Sequence, residues 1–182
     1  MKEKFTIVIF TENTIGLLNR VTSLFTQRHI NIESITASES EYKGIHRYTI
    51  VIKETEFQTQ KVVSQIEKQV EVLKAYYFTD DSTVFCEIAL YKIRRSAEVD
   101  DKLLNQVIKQ HGAAINEVIG EFIVIEKTGT KEETNALLEA LEPFNIQGFV
   151  RSGRVSLSKT YSTFSKYLKE LETHSKETIL IK

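Results

Sequence analysis

The chain has 182 residues, of which 41% are hydrophobic and 27% charged, and its formal net charge is -1. This size suits one or two compact domains with a hydrophobic core, and a nearly neutral chain lacks the basic surface that nucleic-acid binding requires. No apolar run approaches the roughly 20 residues of a membrane helix, and the amino terminus has no signal-peptide pattern. Cys86 is the single cysteine, so no disulfide can form within the chain. We therefore expect a cytoplasmic protein with no membrane or nucleic-acid partner.

The first 79 residues predict the element order β-α-β-β-α-β. Short β-branched and aromatic runs predict strands at residues 5–10, 31–37, 47–52 and 72–78. Apolar residues at spacings of three and four predict amphipathic helices over residues 17–25, ending near Arg28, and around 62–66. This order is the split βαβ, or ferredoxin-like, arrangement.

The same order recurs after a polar link at residues 79–83. Strands are predicted at 85–93, 114–119, 122–127 and 146–150, and helices at 103–108 and 134–141. In the first of these strands Cys86, Ile88 and Leu90 alternate, which predicts an apolar face with Cys86 as a small core residue. We therefore predict an α+β fold of two consecutive ferredoxin-like βαββαβ modules, each an antiparallel sheet with two helices on one face. The predicted domains are 1–79 and 84–182, the second with an extended tail.

The tail after Lys159 has a pattern of its own. Phe164, Tyr167, Leu168 and Leu171 have helical spacing, and residues 179–181 form a short apolar run. Two roles are open: an added helix and strand packed on the second module, or elements that pair two chains.

The sequence carries no recognisable catalytic or metal-binding constellation. The four histidines are far apart and have no zinc-motif spacing, and the glycines form no phosphate-binding loop. A K-T-G motif of the kind found in some catalytic sites occurs in Lys127-Thr128-Gly129-Thr130, but the S-x-x-K and S-D-N motifs that accompany it are missing. We therefore predict a strand-to-helix turn there. The strand at residues 47–52 has one aromatic residue and no RNP pattern, which argues against RNA binding on this sheet. We predict no catalytic residue and no metal ligand.

The turn Asn13-Thr14-Ile15-Gly16, between the first strand and the first helix, has two explanations. The N–H groups at a helix start can hold a carboxylate, and Gly16 lets a ligand approach the backbone closely. The Asn13 amide can meet either charged end of an amino acid. Alternatively, Asn13 or Thr14 caps the helix and Gly16 relaxes the turn. Spacing alone favours capping.

Residues 12–21, 24–25, 27–28 and 31–35 together resemble the opening of acetolactate synthase small subunits, which begin with an ACT domain. The turn N-x-x-G-x-L is shared by ACT domains in general, whereas the run from Arg28 to Ser34 is more specific to this family. Residues 47–51 resemble the family's S-R-M-T-I strand, and residues 87–93, 126–129 and 148–153 of the second module also fit. His29-Ile30 stands where the family has a glycine and an aromatic residue.

The resemblance implies a regulatory subunit without catalytic activity or cofactor of its own, in the biosynthesis of valine, leucine and isoleucine. Such a subunit forms a homodimer through its ACT domains, activates a separate catalytic subunit, and confers feedback inhibition by valine or a related amino acid. Thiamine diphosphate, magnesium and FAD would belong to that catalytic subunit.

The resemblance also implies an effector site between two chains. Asn13, Gly16 and Asn31 would contact the amino-acid backbone, and N–H groups from Ile15 to Leu17 would bind its carboxylate. The aliphatic side chain of the effector would meet Ile15, Leu17 or Ile35. Two alternatives stay open: an ACT-type sensor that serves another enzyme or a transcriptional regulator, and a small enzyme built on the second module.

Overall fold

The computed structural model describes residues 1–95, 100–160 and 164–169. Contacts divide the chain into two compact units. The first comprises Met1–Val84 together with Ser156 and the described residues after it, and the second comprises Phe85–Val155. The tail thus groups with the first unit, whereas the sequence-based boundaries placed it with the second module.

The first unit is a four-stranded antiparallel sheet with two helices on one face. Its elements are β1 (Glu3–Glu12), α1 (Leu17–Gln27), β2 (Ile32–Glu39), β3 (Ile45–Glu54), α2 (Glu56–Ile66) and β4 (Val72–Thr79). The strand order is β2-β3-β1-β4, so the predicted ferredoxin-like topology is confirmed. Leu17, Val21 and Phe25 recur every four residues on α1 and are fully buried against strand residues such as Ile7 and Ile50.

The face of this sheet opposite the helices is also covered. Residues 164–169 are helical, as their spacing predicts, and Phe164 is only 2% exposed. Its ring stacks on that of Phe10, with centroids 3.9 Å apart and an angle of 2° between the ring planes. Val8 and the partly buried Tyr167 join the same cluster. The described part of the tail therefore packs on the first unit, and Leu171 and residues 179–181 lie outside the described residues.

The second unit repeats the topology. A 3-10 turn (Asp80–Ser82) leads into β5 (Thr83–Arg94), followed by α3 (Asp101–Gln110), β6 (Ala114–Ile119), β7 (Phe122–Gly129), α4 (Lys131–Leu141) and β8 (Ile146–Arg151). The order β6-β7-β5-β8 matches that of the first sheet. A short strand that the sequence did not predict, β9 (Val155–Ser158), follows β8 and belongs to the first unit from Ser156 onwards. Two consecutive βαββαβ modules are therefore present, as predicted.

The predicted orientation of β5 was wrong. Ala89, Tyr91 and Ile93 are fully buried beneath the helices, whereas Ile88 is 48% exposed and Cys86 is only partly buried. Both faces of this strand are apolar, so alternation gives the period of the strand and leaves open which face the helices cover. The opposite face from the one predicted forms the core.

The strand-to-helix turn predicted around Lys127-Thr128-Gly129-Thr130 is confirmed. Gly129 ends β7, and the Thr130 side chain accepts a hydrogen bond from the Glu133 N–H at 3.2 Å. The Glu133 carboxylate in turn accepts from the Thr130 N–H at 2.7 Å, which completes a capping box. These residues thus have a structural role at the start of α4.

Candidate effector site

The turn between β1 and α1 is built by backbone hydrogen bonds. The Thr14 N–H donates to the Glu12 carbonyl oxygen at 3.0 Å, and the Leu17 N–H donates to the Thr14 carbonyl oxygen at 3.3 Å. Gly16 is the N-cap residue of α1, with a left-handed φ of 83°, and no side chain caps the helix. The capping explanation for Asn13 and Thr14 is therefore wrong, because glycine geometry alone turns the chain into the helix.

The uncapped start of α1 suits an anion. The first N–H groups of a helix have no hydrogen-bond acceptor within the helix and carry partial positive charge. In many helices the side chain of the N-cap residue accepts a hydrogen bond from one of them. Asn13 and Gly16 are both exposed, and a Cβ added to Gly16 would meet nothing within 4 Å. A small carboxylate can therefore approach the backbone of this turn from solvent.

The three residues predicted to contact the aliphatic side chain of the effector differ in exposure. Ile15 is fully exposed and Ile35 is 37% exposed, whereas Leu17 is fully buried in the core of the first unit. The side chain of Leu17 is therefore unavailable to a ligand, and its N–H already donates to Thr14. Ile35 is paired with the buried Ile50 in the sheet register, so it lies on the helix-covered face at the sheet edge.

One chain does not bring Asn13 and Asn31 together. Glu12, the residue before Asn13, is opposite Ile45 of β3, while Ile32, the residue after Asn31, is opposite Ile52. Ile45 and Ile52 are seven positions apart on one strand, which at a rise of ~3.3 Å per residue separates them by about 23 Å. The two asparagines therefore lie towards opposite ends of the sheet.

A polar cluster in the second unit was not predicted from the sequence. Arg151 on β8 donates to the Thr134 hydroxyl at 2.9 Å and the Asn135 side-chain oxygen at 2.8 Å, and its Nε lies 3.2 Å from the Glu87 carboxylate. The Tyr91 hydroxyl donates to the Thr134 carbonyl oxygen at 2.6 Å. Burial raises the pKa of Tyr91 to about 12, although the Arg151 charge opposes this effect. These contacts join α4 to the sheet, so we interpret the cluster as structural.

Neither a metal centre nor a membrane-spanning helix occurs in the described parts of the chain. Among those residues no three histidine, cysteine, aspartate or glutamate side chains are grouped so that they could hold a metal ion. None of the described helices is long and apolar enough to cross a membrane.

Comparison with known proteins identifies the class and then the family. Residues 7–74 match the model of the AHAS small subunit-like ACT domain, so the first unit, with its uncapped turn, is an ACT domain. Residues 86–160 match the model described as the small subunit of acetolactate synthase. The chain belongs to the family of acetolactate synthase small subunits, and the resemblance seen in the sequence is confirmed.

Individual relatives cover both units. The chain is 36% identical over 160 residues to the acetolactate synthase small subunit of Bacillus subtilis (strain 168), an alignment that spans 87% of this chain and 91% of that protein. It is 34% identical over 154 residues to the small subunit of Mycolicibacterium smegmatis, covering 85% and 90% of the two chains. The crystal structure of the acetolactate synthase small subunit from Thermotoga maritima superposes with a TM-score of 0.79 at 27% identity, and the match covers 88% of this chain and 99% of that one.

Proposed function

We propose that this protein is a regulatory subunit that binds a branched-chain amino acid between the ACT domains of two chains and thereby adjusts the activity of an acetolactate synthase catalytic subunit. The observation that carries the proposal is the separation of Asn13 from Asn31 in one chain. Residues of one effector site that lie at opposite ends of a sheet can meet only if a second chain supplies one of them.

In this proposal the two chains pair through the outer strand β2 of the first sheet. β2 is an outer strand in the order β2-β3-β1-β4, and Glu33, Ile35 and Ala37 along it are exposed. Antiparallel pairing of β2 with its copy would extend the sheet across a two-fold axis. Glu39, at the end of β2, lies level with the end of β1. In an antiparallel pair the end of one β2 lies beside the start of the other, so the start of the partner's β2 would lie at the end of the sheet where the turn between β1 and α1 is. Asn31 of one chain would then lie beside Asn13 of the other.

The chemistry of the paired site suits a neutral zwitterion. The N–H groups of Ile15 and Gly16 can donate to a carboxylate, and the side-chain amides of Asn13 and Asn31 can both donate and accept. Neutral groups hold both charges of an amino acid without a buried counter-ion. Ile15 and Ile35 supply exposed apolar surface, which favours an aliphatic effector side chain over a polar one.

Regulation follows from linkage. An amino acid that bridges two ACT domains binds the paired state more tightly than any other state, so it shifts the equilibrium towards that state. Coupling free energies of about 1–3 kcal/mol correspond to roughly 5- to 150-fold changes in affinity or population. In this proposal thiamine diphosphate, magnesium and FAD remain with the catalytic subunit, and this chain contributes no group to the reaction.

Reconstitution tests the regulatory role. The chain is mixed with an acetolactate synthase catalytic subunit, and turnover is measured without effector and with valine, leucine or isoleucine. We expect turnover to rise on mixing and to fall again with at least one of the three amino acids. Unchanged turnover on mixing, together with no co-elution of the two chains, would contradict the proposal.

Complementation between two variants tests the shared site. Asn13→Ala and Asn31→Ala should each abolish the effector response while leaving activation of the catalytic subunit intact. Unfolding and refolding the two variants together allows mixed dimers, each of which has one intact site, so about a quarter of all sites should recover. Asn105→Ala, in the second unit, is the matched control and should respond like the unaltered protein. If the mixture shows no recovery, the site is not shared between chains.

A further inference from the structure

A cavity of about 180 Å³ lies within the first unit, between the tail and the face of the sheet opposite α1 and α2, which we call the back face. Phe10 of β1 and Phe78 of β4 line it on the sheet side, and Ser158 of β9 and Phe164 of the tail also line it. Phe164 follows the region that matches the family model, which ends at residue 160. The cavity is on the face opposite α1 and α2, because Phe10 lies in the cluster on that side of the sheet.

Two charged residues line this cavity, the cation Arg47 and the anion Glu41, and Arg47 is the one that is largely removed from solvent. Its register partner is Phe10, so both side chains point to the back face, and the guanidinium lies 5.7 Å from the centroid of the Phe10 ring. One guanidinium N–H donates to the Ser156 carbonyl oxygen. Burial lowers the pKa of Arg47, and the nearby charge of Glu41, an exposed residue at the cavity, opposes that shift.

Removing a cation from water is costly unless an anion or several acceptors compensate for the lost hydration. The bond to Ser156 joins β9 to β3 and uses one of the donors of a guanidinium that can form several hydrogen bonds. It does not account for the open space beside the cation or for the aromatic side chains around that space. A bound carboxylate would account for both, because guanidinium and carboxylate form strong charge-assisted hydrogen bonds.

We propose that this cavity is a second ligand site, which takes a small carboxylate with a short apolar chain. Arg47 binds the carboxylate, and Phe10, Phe78 and Phe164 contact the apolar chain. The site is formed by residues of one chain, unlike the proposed effector site, and Thr160 and Phe164 of the tail form part of its wall. Ligand occupancy therefore stabilises the docked position of Phe164.

Nuclear magnetic resonance of the full-length chain tests the site with three probes of equal chain length: pentanoate, norvaline and the uncharged pentanamide. We expect saturable shifts of the Arg47 Nε–H and of the Phe10 and Phe164 amides with pentanoate, and binding at least about tenfold weaker with pentanamide. Equal binding of pentanamide and pentanoate, or no saturable shift at Arg47 with either acid, would overturn the proposal.

Substitutions at the two charged residues separate ligand binding from a structural role. Arg47→Gln should weaken pentanoate binding at least about tenfold, and Arg47→Lys less. Glu41→Gln, at an exposed position, should tighten pentanoate binding because it removes a competing anion; unchanged or weaker pentanoate binding would count against the site. Norvaline distinguishes the source of the carboxylate: weaker norvaline binding in Glu41→Gln identifies an amino acid, and stronger binding identifies a simple acid.

The Asn13→Ala variant tests whether ligand binding in this cavity is independent of binding at the proposed effector site. That variant should lose norvaline-induced shifts around Gly16 and Asn31 and keep those at Arg47. If Asn13→Ala also abolishes the shifts at Arg47, the cavity is not an independent site and this inference is wrong.

Discussion

At the scale of single residues, His29 occupies a conformation that favours glycine. Its φ is 55°, in the left-handed region, where a non-glycine residue costs roughly 1–2 kcal/mol. Since the side chain is exposed, His29→Gly should remove this strain and raise the free energy of unfolding by about 0.5–1 kcal/mol, after the greater flexibility of glycine in the unfolded chain is included. Urea denaturation measures the change. His111→Gly, at a φ of -90°, is the control and should not stabilise; a loss of stability in His29→Gly would contradict the argument.

Residue types identified the turn at Asn13–Gly16 but not its geometry. The sequence predicts a glycine turn before a helix, and Gly16 has the left-handed φ that such a turn uses. The absence of a side-chain cap depends on where Asn13 and Thr14 point, which spacing does not specify. Periodicity placed Leu17 on the apolar face of the first helix, whereas the resemblance made it a wall residue of the effector site; its burial in the core agrees with the periodicity.

At the scale of elements, the capping box at the start of α4 makes a contribution to the free energy of unfolding that can be measured by itself. Thr130→Ala removes the side-chain acceptor for the Glu133 N–H and should lower the free energy of unfolding by about 1 kcal/mol. Thr130→Ser keeps the hydroxyl and should behave like the unaltered protein, so denaturant titration of the two variants isolates the hydrogen bond. Equal losses in both variants would show that the threonine methyl group, and not the cap, matters.

Element order was predictable from periodicity, and the choice of buried face was not. The helices and strands of both modules were found close to their predicted positions because each has a strong apolar period. On β5, alternate residues on both sides are apolar, and only packing against α3 and α4 selects the side with Tyr91. Strand β9 escaped prediction because four residues give too short a pattern.

At the scale of the whole molecule, alkaline pH should destabilise the protein through Tyr91. Its pKa is raised from 10.0 to about 12, so the folded state favours the neutral phenol. The stability from keeping this group neutral is fully present below pH 10 and is lost as pH rises towards 12. Thermal unfolding across this range should show a falling Tm. Tyr91→Phe should begin from a lower Tm, since it loses the hydrogen bond to Thr134, and should fall less steeply; an identical slope would exclude Tyr91 as the cause.

The position of the tail was beyond sequence reasoning. Helical spacing predicted a helix around Phe164, and the structure describes one there. The sequence left two roles open for the tail, packing on the second module or pairing of two chains, and its contact with the face of the first sheet opposite the helices was not among them. The stacked pair of Phe164 and Phe10 is a contact between residues 154 positions apart, which no local pattern encodes.

The packing of Phe164 has a practical consequence for how the protein is handled. A shortened chain that stops at Thr160, where the family match ends, would lose Phe164 and Tyr167 from the cluster around Val8 and Phe10 and would expose apolar surface there. Contiguous apolar surface of this kind promotes self-association, so such a chain should precipitate or form spurious oligomers that imitate regulatory assembly. Affinity tags are therefore better attached at the amino terminus than next to the segment around Phe164 that covers the sheet.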